Sequence, residues 1–138
     1  MKPVYQTTFG DNGNCVSAAL ASILDLPISA VPTFSQGERR AAEIDAFLAP
    51  YGYTWLRAST GPDWRDHVPD VYHTMSGTSP RGRHHMVVGR GGRMVHDPHP
   101  NGGGIRDVSY LGFLLPREST TEADTVSVRQ PWRVTVRR

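Results

Sequence analysis

Cysteine is almost absent from this sequence, since Cys15 is the only one in 138 residues. A single thiol excludes an intrachain disulfide and a zinc site built from several thiolates. It is typical of a reducing compartment, so we expect a cytoplasmic protein. No run of about 18 apolar residues occurs, which is the length that a membrane-spanning helix needs. The apolar stretch 16–26 follows Asp11 rather than a lysine-rich segment, which argues against a signal peptide, and we expect no membrane partner.

Net charge is also small, at +2 from 15 basic and 13 acidic residues. Positive charge concentrates near the carboxyl terminus, at Arg129, Arg133, Arg137 and Arg138. A solvated tail or an edge strand explains such a cluster, and we expect no nucleic-acid partner. The glycines at 91–92 and 102–104 suit turns, because no helix with a lysine follows them as a phosphate-binding loop requires. We therefore expect no cofactor, and nothing in the sequence specifies an oligomeric state.

Turn-forming residues are abundant, with 14 glycines and 11 prolines. Between them, apolar spacing of three or four residues predicts helices over 15–26 and 37–49, each stopped by a proline. Short β-branched and aromatic stretches predict strands at 53–57, 71–75, 85–90, 93–97 and 109–115. This order indicates an α+β domain in which N-terminal helices pack on a C-terminal antiparallel β-sheet. We predict one domain over residues 1–116, with 117–138 as a linker and an edge strand (126–136) of the same domain.

Cys15 stands at the start of the first predicted helix, in the segment Asn14-Cys15-Val-Ser. Asn12 or Asn14 can cap this helix. The unpaired N–H groups and partial positive charge of a helix N-terminus favour the thiolate form of a cysteine there. A buried, unreactive thiol is the common alternative on an apolar helix. Its place at the helix start makes Cys15 a candidate nucleophile.

His85 opens a predicted strand, and Asp97 closes the next one. A cysteine nucleophile needs a base that holds it as thiolate, a group that orients the base, and donors for the developing oxyanion. His85 would act as base and then as acid, with Asp97 holding its tautomer. The Cys15 backbone N–H and the Gln6 side-chain amide would supply the oxyanion donors, with the asparagines next to the helix start as alternatives to Gln6.

These residues resemble the papain-like cysteine peptidase superfamily over about residues 4–115. The similarity is greatest to the bacteriocin-processing (double-glycine) peptidase-like branch, and it extends to short phage and bacterial proteins. It is carried by Gln6, Asn14-Cys15, His85-Met-Val-Val-Gly and Val95-His-Asp97-Pro98. The resemblance implies a helix packed on a sheet, with the active site in the cleft between them. It implies hydrolysis of a peptide, isopeptide or amide bond of a peptide or protein substrate through an acyl-thioester. The implied nucleophile, base, orienting residue and oxyanion residue are Cys15, His85, Asp97 and Gln6.

The predicted hairpin between His85 and Asp97 provides a geometric test, because opposed residues of an antiparallel pair share a face. A three-residue loop at 90–92 would place His85 directly opposite Asp97. A two-residue turn at 91–92 would put Asp97 on the same face as His84 instead. We predict the odd loop or a bulge, and hence a contact between Asp97 and His85.

Three further side chains are candidates for substrate binding, namely Asn14, His84 and Arg83. Arg83 can bind an acidic group, although a solvated basic loop is its alternative interpretation. A rival hypothesis is a zinc site, because imidazoles and a carboxylate cluster at His84, His85, His96, Asp97 and His99. That order matches no recognised ligand spacing, and we predict no metal.

Two other functions stay open from the sequence. An amine that replaces water as the acceptor would make the protein an acyltransferase or transglutaminase-type enzyme. A chain that kept the fold without a reactive thiol would be a catalytically inert binding module.

Overall fold

A computed structural model describes residues 1–117, and the predicted linker and edge strand lie outside these residues apart from residue 117. Within them the chain has an α+β fold, with two α-helices followed by five β-strands. Helix α1 spans Cys15–Leu24 and helix α2 spans Arg39–Leu48, each within its predicted segment. No helix in the described part of the chain is long and apolar enough to cross a membrane.

The strands form one five-stranded antiparallel sheet in the order β1-β5-β2-β3-β4. They are β1 Tyr53–Ser59, β2 Tyr72–Thr78, β3 His84–Arg90, β4 Arg93–His96 and β5 Asp107–Pro116. Each overlaps a predicted strand. The last strand within residues 1–117, β5, lies between β1 and β2, while α1 packs on β3 and α2 on β1.

Helix α1 is buried along residues 16–22, which its small side chains permit. Its buried hydroxyls are satisfied, because Ser17 Oγ donates to the Pro32 carbonyl at 2.6 Å and Ser22 Oγ to the Ala18 carbonyl at 2.8 Å. The helix ends at Leu24 because the next residue adopts a left-handed φ of 57°. The packed helix holds its first residue, Cys15, in a fixed position.

Apolar side chains cover both faces of the sheet. The core under the helices includes Leu20, Ile44, Leu48, Trp55 and Val88. The core on the other face consists of Met75, Val87 and Leu111, with Trp64 and Val68 packed against it. Adjacent residues of β3 thus belong to different cores, as alternation along a strand requires.

Candidate active site

Cys15 is the first residue of α1 and lines a cleft of about 850 Å³ beside that end of the helix. The residue is half-buried. The cleft lining comes from α1, α2 and the sheet, and it includes Gln36, Arg40, Trp55, Arg57, His84 and His85. The thiol is therefore packed at the helix start and also accessible to a ligand.

His85 lies near the start of β3 with its side chain almost fully buried. Its Nε2 is 2.7 Å from Asp97 Oδ1, and the two side chains are 5% and 6% exposed. The carboxylate accepts from Nε2–H, which leaves Nδ1 as the ring nitrogen available to the Cys15 thiol. The structure thus brings Cys15 and His85 to the same cleft and pairs His85 with Asp97.

The backbone also holds Asp97 in place. Its Oδ1 accepts from the His99 N–H at 2.9 Å, and its Oδ2 accepts from the Gly104 N–H at 2.8 Å. Burial opposes ionisation of this carboxyl, but the hydrogen bonds from His85, His99 and Gly104 outweigh burial and lower its pKa to about 2. Asp97 is therefore negatively charged at neutral pH. We did not predict the two backbone donors, whose only sequence signal is the glycine-rich loop after Pro98.

Cys15 and His85 shift each other's pKa in the directions that favour an ion pair. Burial raises the pKa of the Cys15 thiol, but the hydrogen bond and charge of His85 bring it below its ordinary value. Burial lowers the pKa of His85, whereas its bonds to Asp97 and Cys15 raise it to about 9. Both shifts favour the pair of a thiolate and an imidazolium, which is the reactive form of a cysteine nucleophile.

The hairpin between β3 and β4 brings His85 and Asp97 together through a bulge. The turn contains only Gly91 and Gly92, with φ of 59° and 83°, so the predicted three-residue loop is wrong. Left-handed φ at both positions matches the two-residue turns that suit the twist of a hairpin. A register shift beyond this turn supplies the predicted bulge. The predicted contact of Asp97 with His85 is confirmed.

Gln6 is buried, and its amide lies beside the start of α1. Gln6 Nε2 donates to the Thr8 carbonyl at 3.0 Å, and the same carbonyl accepts from the Asn14 N–H at 3.3 Å. The Gln6 N–H donates to the Pro98 carbonyl at 3.0 Å. Gln6 therefore joins the residue before Cys15 to the residue after Asp97, and its amide retains a second N–H.

Asn14 has a different role from the predicted one at the helix start. Its Oδ1 accepts from the Thr7 and Thr8 N–H groups at 2.9 and 3.1 Å, and its Nδ2 donates to Thr7 Oγ1 at 2.9 Å. Because these bonds occupy the side chain, the predicted side-chain cap of α1 is absent. The structure directs Asn14 to the amino-terminal segment, and the exposed Asn12 does not replace it as a cap.

Arginine side chains surround the mouth of the cleft. Arg83 lines it as an exposed residue whose Nη1 lies 2.6 Å from Asp11 Oδ1. His84 lines it too. We did not predict Arg40 on α2 or Arg57 on β1, which also line the cleft. Arg40 could have been noticed in the sequence, because it lies in the first turn of a helix, where the helix dipole disfavours a cation.

The histidines of the zinc hypothesis bind separate partners. His96 Nε2 lies 2.7 Å from the Val4 carbonyl, and the His99 ring packs edge-on against Phe9 with centroids 5.2 Å apart. His85 is bonded to Asp97. Within residues 1–117, no three or more side chains of histidine, cysteine, aspartate or glutamate converge on a point that could hold a metal ion. The geometry gives the zinc hypothesis no support.

Comparison with known protein families, curated proteins and solved structures finds no match to this chain. The defining feature of the site is a thiol that shares a cleft with a buried imidazole, which is itself bonded to a buried carboxylate.

Proposed function

We propose that this protein is a papain-like, cysteine-dependent hydrolase that cleaves a peptide, isopeptide or amide bond. The observation that carries this proposal is that Cys15 lines a cleft together with His85, whose ring is bonded to the buried Asp97 carboxylate at 2.7 Å. A thiol at the start of a helix that packs on an antiparallel sheet is also the arrangement that the sequence resemblance implies. We expect the substrate to be a peptide or a protein.

In the first step, the Cys15 thiolate attacks the carbonyl carbon and the new S–C bond moves negative charge onto the carbonyl oxygen. The Cys15 N–H belongs to the first turn of α1, where N–H groups have no partner within the helix. This N–H is one donor for that oxygen. Gln6 is the second donor that the resemblance implies, although it lies outside the cleft lining and its Nε2 donates to the Thr8 carbonyl.

In the second step, the His85 imidazolium donates its proton to the leaving nitrogen, and the C–N bond breaks to leave an acyl-thioester. Neutral His85 then takes a proton from water, whose oxygen attacks the thioester carbon. The C–S bond breaks, the acid is released, and Cys15 returns to the thiolate. Asp97 keeps the ring in one orientation and stabilises its charge throughout.

Alkylation of Cys15 by iodoacetamide tests this proposal without a known substrate. At pH 6 we expect stoichiometric labelling of the wild-type protein, followed by intact-protein mass spectrometry. The His85→Ala variant should react about a hundredfold more slowly, because a thiol with an ordinary pKa near 8.5 is almost entirely protonated at that pH.

His67→Ala is the matched control, because His67 is an exposed histidine outside the cleft lining. Its labelling rate should equal the wild-type rate. A wild-type thiol that reacts at pH 6 no faster than the His85→Ala thiol would contradict the hydrolase proposal and favour an inert binding module.

A further inference from the structure

From the charges in the cleft we infer that the substrate carries a carboxylate close to the scissile bond, and that Arg57 and Arg40 bind it. This inference rests on the proposed hydrolase function. It identifies a substrate class, a peptide with a free carboxylate, that the chemistry of Cys15 and His85 alone does not specify.

Arg57 is held in place for such a contact by an aromatic ring. Its guanidinium carbon lies 3.5 Å from the centroid of the Tyr110 ring, and both residues line the cleft. Stacking on a ring face leaves the edge N–H groups of an arginine available, and they match the two oxygens of a carboxylate. The ion pairs formed within residues 1–117 do not include Arg57.

Arg40 approaches the same space from α2. The residue is half-buried, and its Nε donates to the Ser35 carbonyl at 3.1 Å, which fixes the side chain. Glu43 lies nearby, where hydrogen bonds from Ser35 and the charges of Arg39 and Arg40 lower the pKa of its carboxyl, so Arg40 shares this anion with Arg39. Arg40 also belongs to no ion pair within the described residues. Its positive charge helps to lower the pKa of the Cys15 thiol, and both residues line the cleft.

The acidic residues of the cleft do not balance these two arginines. Asp11 is bonded to Arg83 at 2.6 Å, so this pair cancels. Glu38 is then the remaining acidic side chain in the lining, against Arg40 and Arg57. The Cys15 thiolate and the His85 imidazolium cancel each other as well. The cleft therefore keeps an excess positive charge beside the nucleophile, which favours an anionic ligand.

Two alkylating reagents of nearly equal size test the inference, since iodoacetate carries a carboxylate and iodoacetamide does not. The quantity to compare is the ratio of their rate constants for Cys15, because this ratio does not depend on how much of the thiol is ionised. We would measure it by mass spectrometry at about 0.01 M ionic strength, where screening is weak. The ratio for the folded protein should exceed that for the urea-unfolded chain.

The variants Arg57→Gln and Arg40→Gln should each lower the ratio about two- to fivefold, the range that single solvent-accessible charge pairs produce. Arg93→Gln is the matched control, because Arg93 is exposed on β4 outside the cleft lining, and it should leave the ratio unchanged. Rapid reaction with iodoacetamide but an equal ratio in all four proteins would overturn the carboxylate inference alone. Slow reaction with both reagents would overturn the hydrolase proposal.

Protection by peptides distinguishes the two sources of a carboxylate. We would add acetyl-Gly-Asp-Gly-amide, acetyl-Gly-Asn-Gly with a free carboxyl terminus, or acetyl-Gly-Asn-Gly-amide to the iodoacetamide reaction. Slower labelling with the first peptide identifies an acidic side chain, and slower labelling with the second identifies a terminal carboxylate. Equal labelling rates with all three peptides would contradict the inference.

Discussion

Two buried histidines on neighbouring strands of the sheet have opposite electrostatic environments. His73 on β2 is 0% exposed and His85 on β3 is 4% exposed, so burial barely distinguishes them. Burial lowers the pKa of His73, whose Nδ1 lies 3.1 Å from the Thr74 carbonyl and whose Nε2 accepts from the Gly92 N–H at 3.0 Å. The pKa of His85 is instead raised to about 9.

The charge of the partner explains the difference. Neutral backbone groups bind both ring nitrogens of His73 and fix a neutral tautomer, since Nδ1 must donate and Nε2 must accept. A carboxylate and a thiolate bind His85, and both favour the imidazolium. His73 is thus a satisfied core histidine that links β2 to the turn between β3 and β4, whereas His85 is suited to proton transfer.

Replacing the Asp97 carboxylate should remove most of the difference between the pKa values of His85 and His73. In Asp97→Asn we expect the pKa of His85 to fall by about one to three units, because a neutral amide gives no charge stabilisation to the imidazolium. An NMR titration of the imidazole signals measures both histidines in one experiment, and His73 serves as the internal control. An unchanged pKa of His85 would mean that Asp97 does not determine its protonation.

A substitution next to His73 should lower the stability of the protein and leave the reactivity of the Cys15 thiol unchanged. A Cβ added at Gly89 would lie 2.6 Å from both His73 Cε1 and Met75 Sδ, so we expect Gly89→Ala to lower the free energy of unfolding by about 1–3 kcal/mol. Chemical denaturation measures this loss. Gly61→Ala is the control, since its added Cβ would meet no atom within 4 Å. Iodoacetamide labelling of folded Gly89→Ala should keep the wild-type rate, and a slower rate would show that the His73 region also controls the thiol.

Local sequence patterns predicted the helix and the strands that carry the site. They did not predict how these elements pack against one another. The start of α1 at Cys15 and the strands bearing His85 and Asp97 follow from apolar spacing and turn residues within a few positions of each. The position of β5 between β1 and β2 depends on pairing between strands that are distant in sequence, which no local pattern contains. The arginines at positions 40 and 57 meet in the cleft for the same reason, because they come from a helix and a strand whose packing is a property of the whole fold.

The pH dependence of stability gives the finest test of the two environments. Because the pKa of His73 is lowered, the unfolded chain takes up a proton below about pH 6.5 that the native histidine does not, so this residue affects stability only on the acid side. The raised pKa of His85 affects the stability of the protein at alkaline pH. Native His85 keeps its proton as pH rises from about 6.5 towards 9 while the unfolded chain loses its own, and the stabilisation is lost over that window.

In the wild-type protein, the ionisation of Cys15 should offset the loss of stability that His85 causes at alkaline pH. The lowered pKa of the thiol means that native Cys15 has released a proton which the unfolded chain still holds, so its contribution to stability increases as pH rises towards the ordinary thiol pKa. The two slopes oppose each other, so the wild-type profile should be flatter than that of His85 alone. Cys15→Ser removes the thiol slope and the part of the His85 shift that the thiol supplies, but Asp97 still raises the pKa of His85. The free energy of unfolding of this variant should therefore fall by about 1 kcal/mol between pH 6.5 and 9. Denaturation of both proteins across this range measures the difference, and parallel profiles would indicate that native Cys15 is not ionised.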